Sequence, residues 1–104
     1  MQLLELNISS NNIKIDESYE DFFDFSGFEH LKNLDLNMGY TDINPEFLII
    51  MFKSISAATN IKTLSINLEC TRLIPMYFNR AMRELSPLQK VEDFTINVSN
   101  NSMR

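Results

Sequence analysis

The sequence predicts an α/β solenoid with four parallel strands on a concave face and helices on a convex face. Three observations lead there. One apolar pattern returns four times at a spacing of 30 residues without a gap, each return carries the period-two alternation of a half-buried strand, and two of the intervening stretches carry helical spacing. Units of this kind cannot bury their apolar faces alone, so neighbours stack and share a core. The 104 residues read as a single domain with repeats at about 1–30, 31–60 and 61–90 and a partial repeat at 91–104.

The strands come first. LLELNIS at 3–9 aligns with LDLNMG at 34–39, LSINLE at 64–69 and FTINVS at 94–99. Apolar columns run through Met1, Leu31, Ile61 and Val91; Leu4, Leu34, Leu64 and Phe94; Leu6, Leu36, Ile66 and Ile96; and Ile8, Met38, Leu68 and Val98. The register continues through Ile13, Ile43, Leu73 and Met103, then Phe22, Phe52 and Met82, and Phe25, Ile55 and Leu85.

The connections come next. In the second repeat, Leu48, Met51, Phe52, Ile55 and Ala58 have helical spacing over 44–58. Pro45 suits a first helical position, Asn44 can cap the free amides, and Glu46 meets the positive helix end. The third repeat does the same from Pro75 through Phe78, Ala81, Met82 and Leu85, ending at Ser86-Pro87. In the first repeat, Asp21 replaces the apolar residue, and Glu17/Asp21 and Glu20/Asp24 are like-charge pairs four apart. A short or irregular turn is expected there.

The strand-and-turn pattern resembles the leucine-rich repeat, L-x-x-L-x-L-x-x-N/C-x-L. The first repeat fits as Leu3, Leu6, Ile8, Asn11 and Ile13. Later repeats keep Leu36, Met38, Thr41 and Ile43; Ile66, Leu68, Thr71 and Leu73; and Ile96, Val98, Asn101 and Met103. They place Asn33, Thr63 and Asp93 at the first motif position, with Leu34, Leu64 and Phe94 supplying the packing instead. A repeat near 30 residues with helices is most similar to the ribonuclease-inhibitor-like class. The resemblance implies that Asn11, Thr41, Thr71 and Asn101 form a polar ladder satisfying backbone groups at the strand exit, and that proteins are recognised on the concave sheet.

On that face the alternation places Glu5, Asn7 and Ser9; Asp35, Asn37 and Gly39; Ser65, Asn67 and Glu69; and Thr95, Asn97 and Ser99. The candidate partner-binding set is Glu5, Asn7, Asp35, Asn37, Ser65, Asn67, Glu69, Thr95 and Asn97. The asparagine column at 7, 37, 67 and 97 has two readings: a strip directed at a partner, or a ladder whose amides bond to one another. Charge is uneven, with seven acids against Lys14 in residues 1–30, and Lys62, Arg72, Arg80, Arg83 and Lys90 against two acids in 61–91. The terminal strands have no evident polar caps, so further repeats or neighbouring subunits are expected beside them.

Composition narrows the chemistry. A net charge of -5 argues against nucleic acid and anionic membranes as partners, and no apolar run is long enough to span a bilayer. One cysteine, Cys70, fits a reducing intracellular compartment and is assigned a structural place in a turn. With one histidine, His30, read as an exposed loop residue, a nucleophile lacks a nearby base; two glycines make no phosphate loop, and no metal-ligand spacing exists. No cofactor or metal is expected. Asp16, Ser18 and Glu20 lack the Gly and Glu that a calcium loop requires, and the glycan acceptor triplets at Asn7, Asn97 and Asn100 are read as chance. The expectation is a non-enzymatic protein-interaction or assembly subunit; the alternative is a substrate-recognition or inhibitor module gripping a mobile protein on the concave face.

Overall fold

The computed structural model describes residues 2–9 and 13–101. Strand β1 (Leu3–Asn7) is followed by a two-residue strand β2 (Lys14–Ile15), a 3-10 turn at Glu17–Tyr19, and then β3 (Asn33–Asn37) and β4 (Asp42–Ile43). Helix α1 (Pro45–Ser56), β5 (Thr63–Asn67), α2 (Pro75–Glu84) and β6 (Asp93–Asn97) complete the order. The fold is mixed α/β: β1, β3, β5 and β6 make one parallel four-stranded sheet in that order, and β2 pairs with β4 in a separate parallel ribbon.

The thirty-residue spacing is kept as register. Leu4, Leu34, Leu64 and Phe94 are partners across the sheet, as are Leu6, Leu36, Ile66 and Ile96. Because side chains alternate between faces, these columns all point one way, onto the core. Leu31, Leu36, Ile61 and Leu68 are fully buried there, alongside Met51, Phe52 and Ile55 from α1. Burial of each such side chain contributes about 1.5–3 kcal/mol.

Helix α1 starts where its sequence dictates. Pro45 occupies the first turn, and the Asn44 side chain accepts the Phe47 N–H at 3.0 Å. Helix α2 begins at Pro75 without a side-chain cap, because Ile74 stands where α1 has Asn44. The unequal burial of the two helices follows from position: α1 lies between the first-repeat turn and α2, whereas no further helix covers α2 among the described residues. Of α2 only Ala81 is buried, against five residues of α1.

The first repeat makes no α-helix. Asp16 opens its 3-10 turn by accepting the Ser18 N–H at 2.9 Å and hydroxyl at 2.6 Å, and Asp24 accepts the same pair of groups from Ser26. These bonds hold both carboxyls below the usual carboxylate range. The tighter turn also corrects the apolar column through Phe22, Phe52 and Met82. Phe23, 1% exposed, enters the core against Phe47, while Phe22 is 48% exposed. A 3-10 turn and a run of tight turns rotate side chains by a different angle per residue than an α-helix does, so alignment by sequence fails by one position.

Two more expectations change. Leu3, placed at the first motif position, lies on the opposite sheet face from the core at 56% exposure, and Leu4 packs inward in its stead. Phe94 was expected to pack like Leu34 and Leu64, both 2% exposed, but on the edge strand it is 42% exposed. Where the chain leaves β3, β5 and β6, Tyr40, Cys70 and Asn100 adopt left-handed backbone at φ 60, 52 and 58, a conformation that asparagine tolerates and that costs other residues about 1–2 kcal/mol.

Candidate functional site

The side of the sheet away from the helices is covered by no other element among the described residues. Four columns cross it. Leu3, Asn33, Thr63 and Asp93 are in register, then Glu5, Asp35, Ser65 and Thr95, then Asn7, Asn37, Asn67 and Asn97. Past the strand ends come Ser9, Gly39, Glu69 and Ser99. The nine residues expected on a binding face are therefore brought to one face, with Glu5, Asn7, Asp35, Thr95 and Asn97 exposed and Asn37, Ser65, Asn67 and Glu69 half-buried.

The lowest column was missed as a contributor. Leu3, Asn33, Thr63 and Asp93 line a shallow depression of about 430 Å³ together with Glu5, Asp35, Ser65 and Thr95. Within it the Thr63 hydroxyl donates to Asn33 Oδ1 at 2.5 Å. Period-two alternation counted back from Glu5 includes this column, whereas the leucine motif position assigns Leu3 to the core. Glu5 and Asp35 are direct partners on β1 and β3, a like-charge juxtaposition that disfavours the sheet.

The asparagine column is first of all structural. Each Oδ1 accepts the N–H two residues on: Ser9 at 3.0 Å, Gly39 at 3.2 Å, Glu69 at 2.9 Å and Ser99 at 2.9 Å. These local bonds shape the exit from every strand. One amide also reaches across, Asn67 Nδ2 donating to Asn37 Oδ1 at 3.0 Å. That contact needs room beside it. A Cβ at Gly39 would lie 3.3 Å from Asn67 Nδ2 and 3.4 Å from Asn37 Oδ1.

Behind the exit lies the polar ladder. Thr41 and Thr71 are buried, and their hydroxyls donate to the carbonyls of Met38 at 2.6 Å and Leu68 at 2.7 Å. Asn101 serves two repeats at once: its Oδ1 accepts the N–H groups of Thr71 and Leu73, and its Nδ2 donates to the carbonyls of Leu68 and Val98. Asn11, the fourth expected member, lies outside the described residues.

At the rim, Glu69 Oε2 accepts the Tyr40 hydroxyl at 3.2 Å and the Asn100 amide at 2.9 Å. The hydrogen bond and the charge of Glu69 push the Tyr40 phenol up. Cys70 is a free, exposed thiol, so its part in the turn is backbone conformation and not packing. His30 is exposed before β3, at the entry end of the strands, whereas Cys70 follows β5 at the exit end. The sheet separates them. Among the described residues no three or more of His, Cys, Asp and Glu are grouped to hold a metal ion, and no helix is long and apolar enough to cross a membrane. Comparison with family models, curated proteins and solved structures finds no match to this chain.

Proposed function

We propose that the chain is a leucine-rich-repeat solenoid of the ribonuclease-inhibitor-like kind that works as a non-catalytic protein-interaction or assembly subunit, its open sheet being the concave contact face. One observation carries this reading: four strands in thirty-residue register present an open face that is polar apart from Leu3, with Glu5, Asp35, Asp93 and Thr95 exposed on it. The core is held by side chains on the other face, so these residues are not needed to fill it. Rigid strands also hold contact groups with little entropy left to lose on binding. The Glu5/Asp35 pair supports the reading further, because a partner carrying a cation would relieve a repulsion that the free protein retains.

The test compares faces. Asp35→Arg and Thr95→Arg alter the open face, and Lys53→Glu alters an exposed site on α1. Crosslinking in cells followed by affinity capture should recover a protein partner with the wild type and with Lys53→Glu. Recovery should fail with the open-face variants while their circular dichroism stays native. Undiminished recovery with Asp35→Arg and Thr95→Arg would refute the assignment of this face.

A further inference from the structure

We propose that the open sheet face takes a protein segment carrying arginine, one guanidinium seated between the carboxylates of Glu5 and Asp35 and a second cationic side chain meeting Asp93. This names the chemistry of the partner and rests on the face assignment above.

Charge supplies the first argument. The charged side chains that β1, β3, β5 and β6 place on this face are Glu5, Asp35 and Asp93, all of them acids, and Glu69 past the end of β5 adds another. Lys32 and Lys62 precede β3 and β5, share the alternation of Leu34 and Leu64, and do not line the depression. Such a face repels a phosphate backbone or an anionic lipid surface and attracts a cationic protein segment.

Geometry then selects arginine. Glu5 and Asp35 are direct partners on adjacent strands, about 5 Å apart. A planar guanidinium with its fork of N–H donors bridges two carboxylates at that separation, whereas an ammonium acts as a point charge. Asp16, Asp24 and Glu69 already accept hydroxyls of the chain's own Ser18, Ser26 and Tyr40, but among the described residues Glu5 and Asp35 carry no such local bond. Their acceptor capacity faces outward.

The shape of the face agrees. The depression of about 430 Å³ runs from Leu3 and Glu5 on β1 to Asp93 and Thr95 on β6. Leu3, 56% exposed beside Glu5, offers apolar contact to the methylene stem of an arginine. Asp93 lies two strand steps from Asp35 and three from Glu5, roughly 10–15 Å across the sheet. An extended segment covers that span in about four residues.

NMR titration of the isotope-labelled 104-residue chain tests this. The probe is a synthetic serine and glycine peptide with two arginines about four residues apart. It should shift the backbone signals of Glu5, Asp35 and Asp93, less so as salt rises, and a lysine version should bind more weakly. A citrulline version, which keeps the shape and drops the charge, should not bind. Glu5→Gln/Asp35→Asn should weaken the arginine peptide by roughly tenfold, about 1.4 kcal/mol, while the urea midpoint holds or rises because a repulsion is removed. Asp93→Asn should weaken the two-arginine peptide and leave a one-arginine peptide unchanged. Glu20→Gln/Asp21→Asn removes the same charge from the groove beside α1 and should leave affinity unaltered. Equal binding of the citrulline peptide, an equal loss with Glu20→Gln/Asp21→Asn, or signals that move with calcium chloride and not with the peptide would overturn the proposal. So would a cellular partner that is lost with Thr95→Arg yet captured by Glu5→Gln/Asp35→Asn, a result under which the face assignment stands; capture undiminished by either variant refutes the face itself.

Discussion

Replacing Phe23 and Phe22 by alanine, one at a time, tests how the first repeat is packed. Phe23 is 1% exposed and lies with its ring centroid 6.1 Å from Phe47 of α1, 5.0 Å from Phe22 and 6.3 Å from Tyr19. Truncating a phenylalanine so enclosed removes its transfer free energy and leaves a cavity, a loss of about 3–5 kcal/mol. Phe22 keeps 48% of its surface in water and bounds no closed space. Its truncation loses about half of a full burial contribution and creates no cavity, for a cost of about 1 kcal/mol. Urea unfolding followed by circular dichroism separates the two. With a slope of about 2 kcal/mol/M, Phe23→Ala should lower the midpoint by about 2 M and Phe22→Ala by about half of one. A domain of this size has about 5–15 kcal/mol in total, so Phe23→Ala stands near the limit of folding. Equal costs, or a larger cost at Phe22, would refute the packing described and restore the helical register that aligns Phe22 with Phe52.

At the strand exit, Thr71→Val should cost about 0.5–1.5 kcal/mol, the net worth of one hydrogen bond, because it removes the hydroxyl that bonds to the Leu68 carbonyl at 2.7 Å while the Asn101 amide still donates to that carbonyl. Asn101→Ala should cost more, since five backbone groups in two repeats lose a partner; urea midpoints within error of the wild type would show that water replaces these bonds. The Tyr40 phenol should titrate above its ordinary value of 10.0, chiefly through the hydrogen bond to Glu69 and then its charge. A folded-state pKa above the unfolded one gives stability fully present below pH 10 and lost as the pH rises through the folded value. Ultraviolet titration of the phenolate, with Tyr40→Phe to assign the signal, should show Glu69→Gln returning Tyr40 toward the ordinary range, and an unmoved titration would dismiss the rim contact.

How far the sequence discloses this molecule depends on which force acts at each position. Leu6, Leu36, Ile66 and Ile96 are legible as paired strands because burial on one face imposes a period of two and the repeat imposes the register. Pro45 and Asn44 are legible because a helix start needs those chemistries locally. The first-repeat turn is not, since spacing alone cannot say whether 3-10 or α geometry carries Phe22 or Phe23 inward. Nor is the fate of Phe94, which depends on whether a neighbouring strand lies beside it. The open face shows the same division. Its membership follows from alternation, but Asn7, Asn37, Asn67 and Asn97 look alike in sequence whether they address a partner or their own backbone. The hydrogen bonds from the N–H groups of Ser9, Gly39, Glu69 and Ser99 give each Oδ1 a local partner. Conformational need at the turn is reason enough for asparagine in all four strands, so the test of a partner-directed role is sharper at neighbours with no such local duty. Glu5 and Asp35 fit that description: they are exposed, mutually repulsive and outside the turn, so substitutions there should change binding while leaving the strand exits intact.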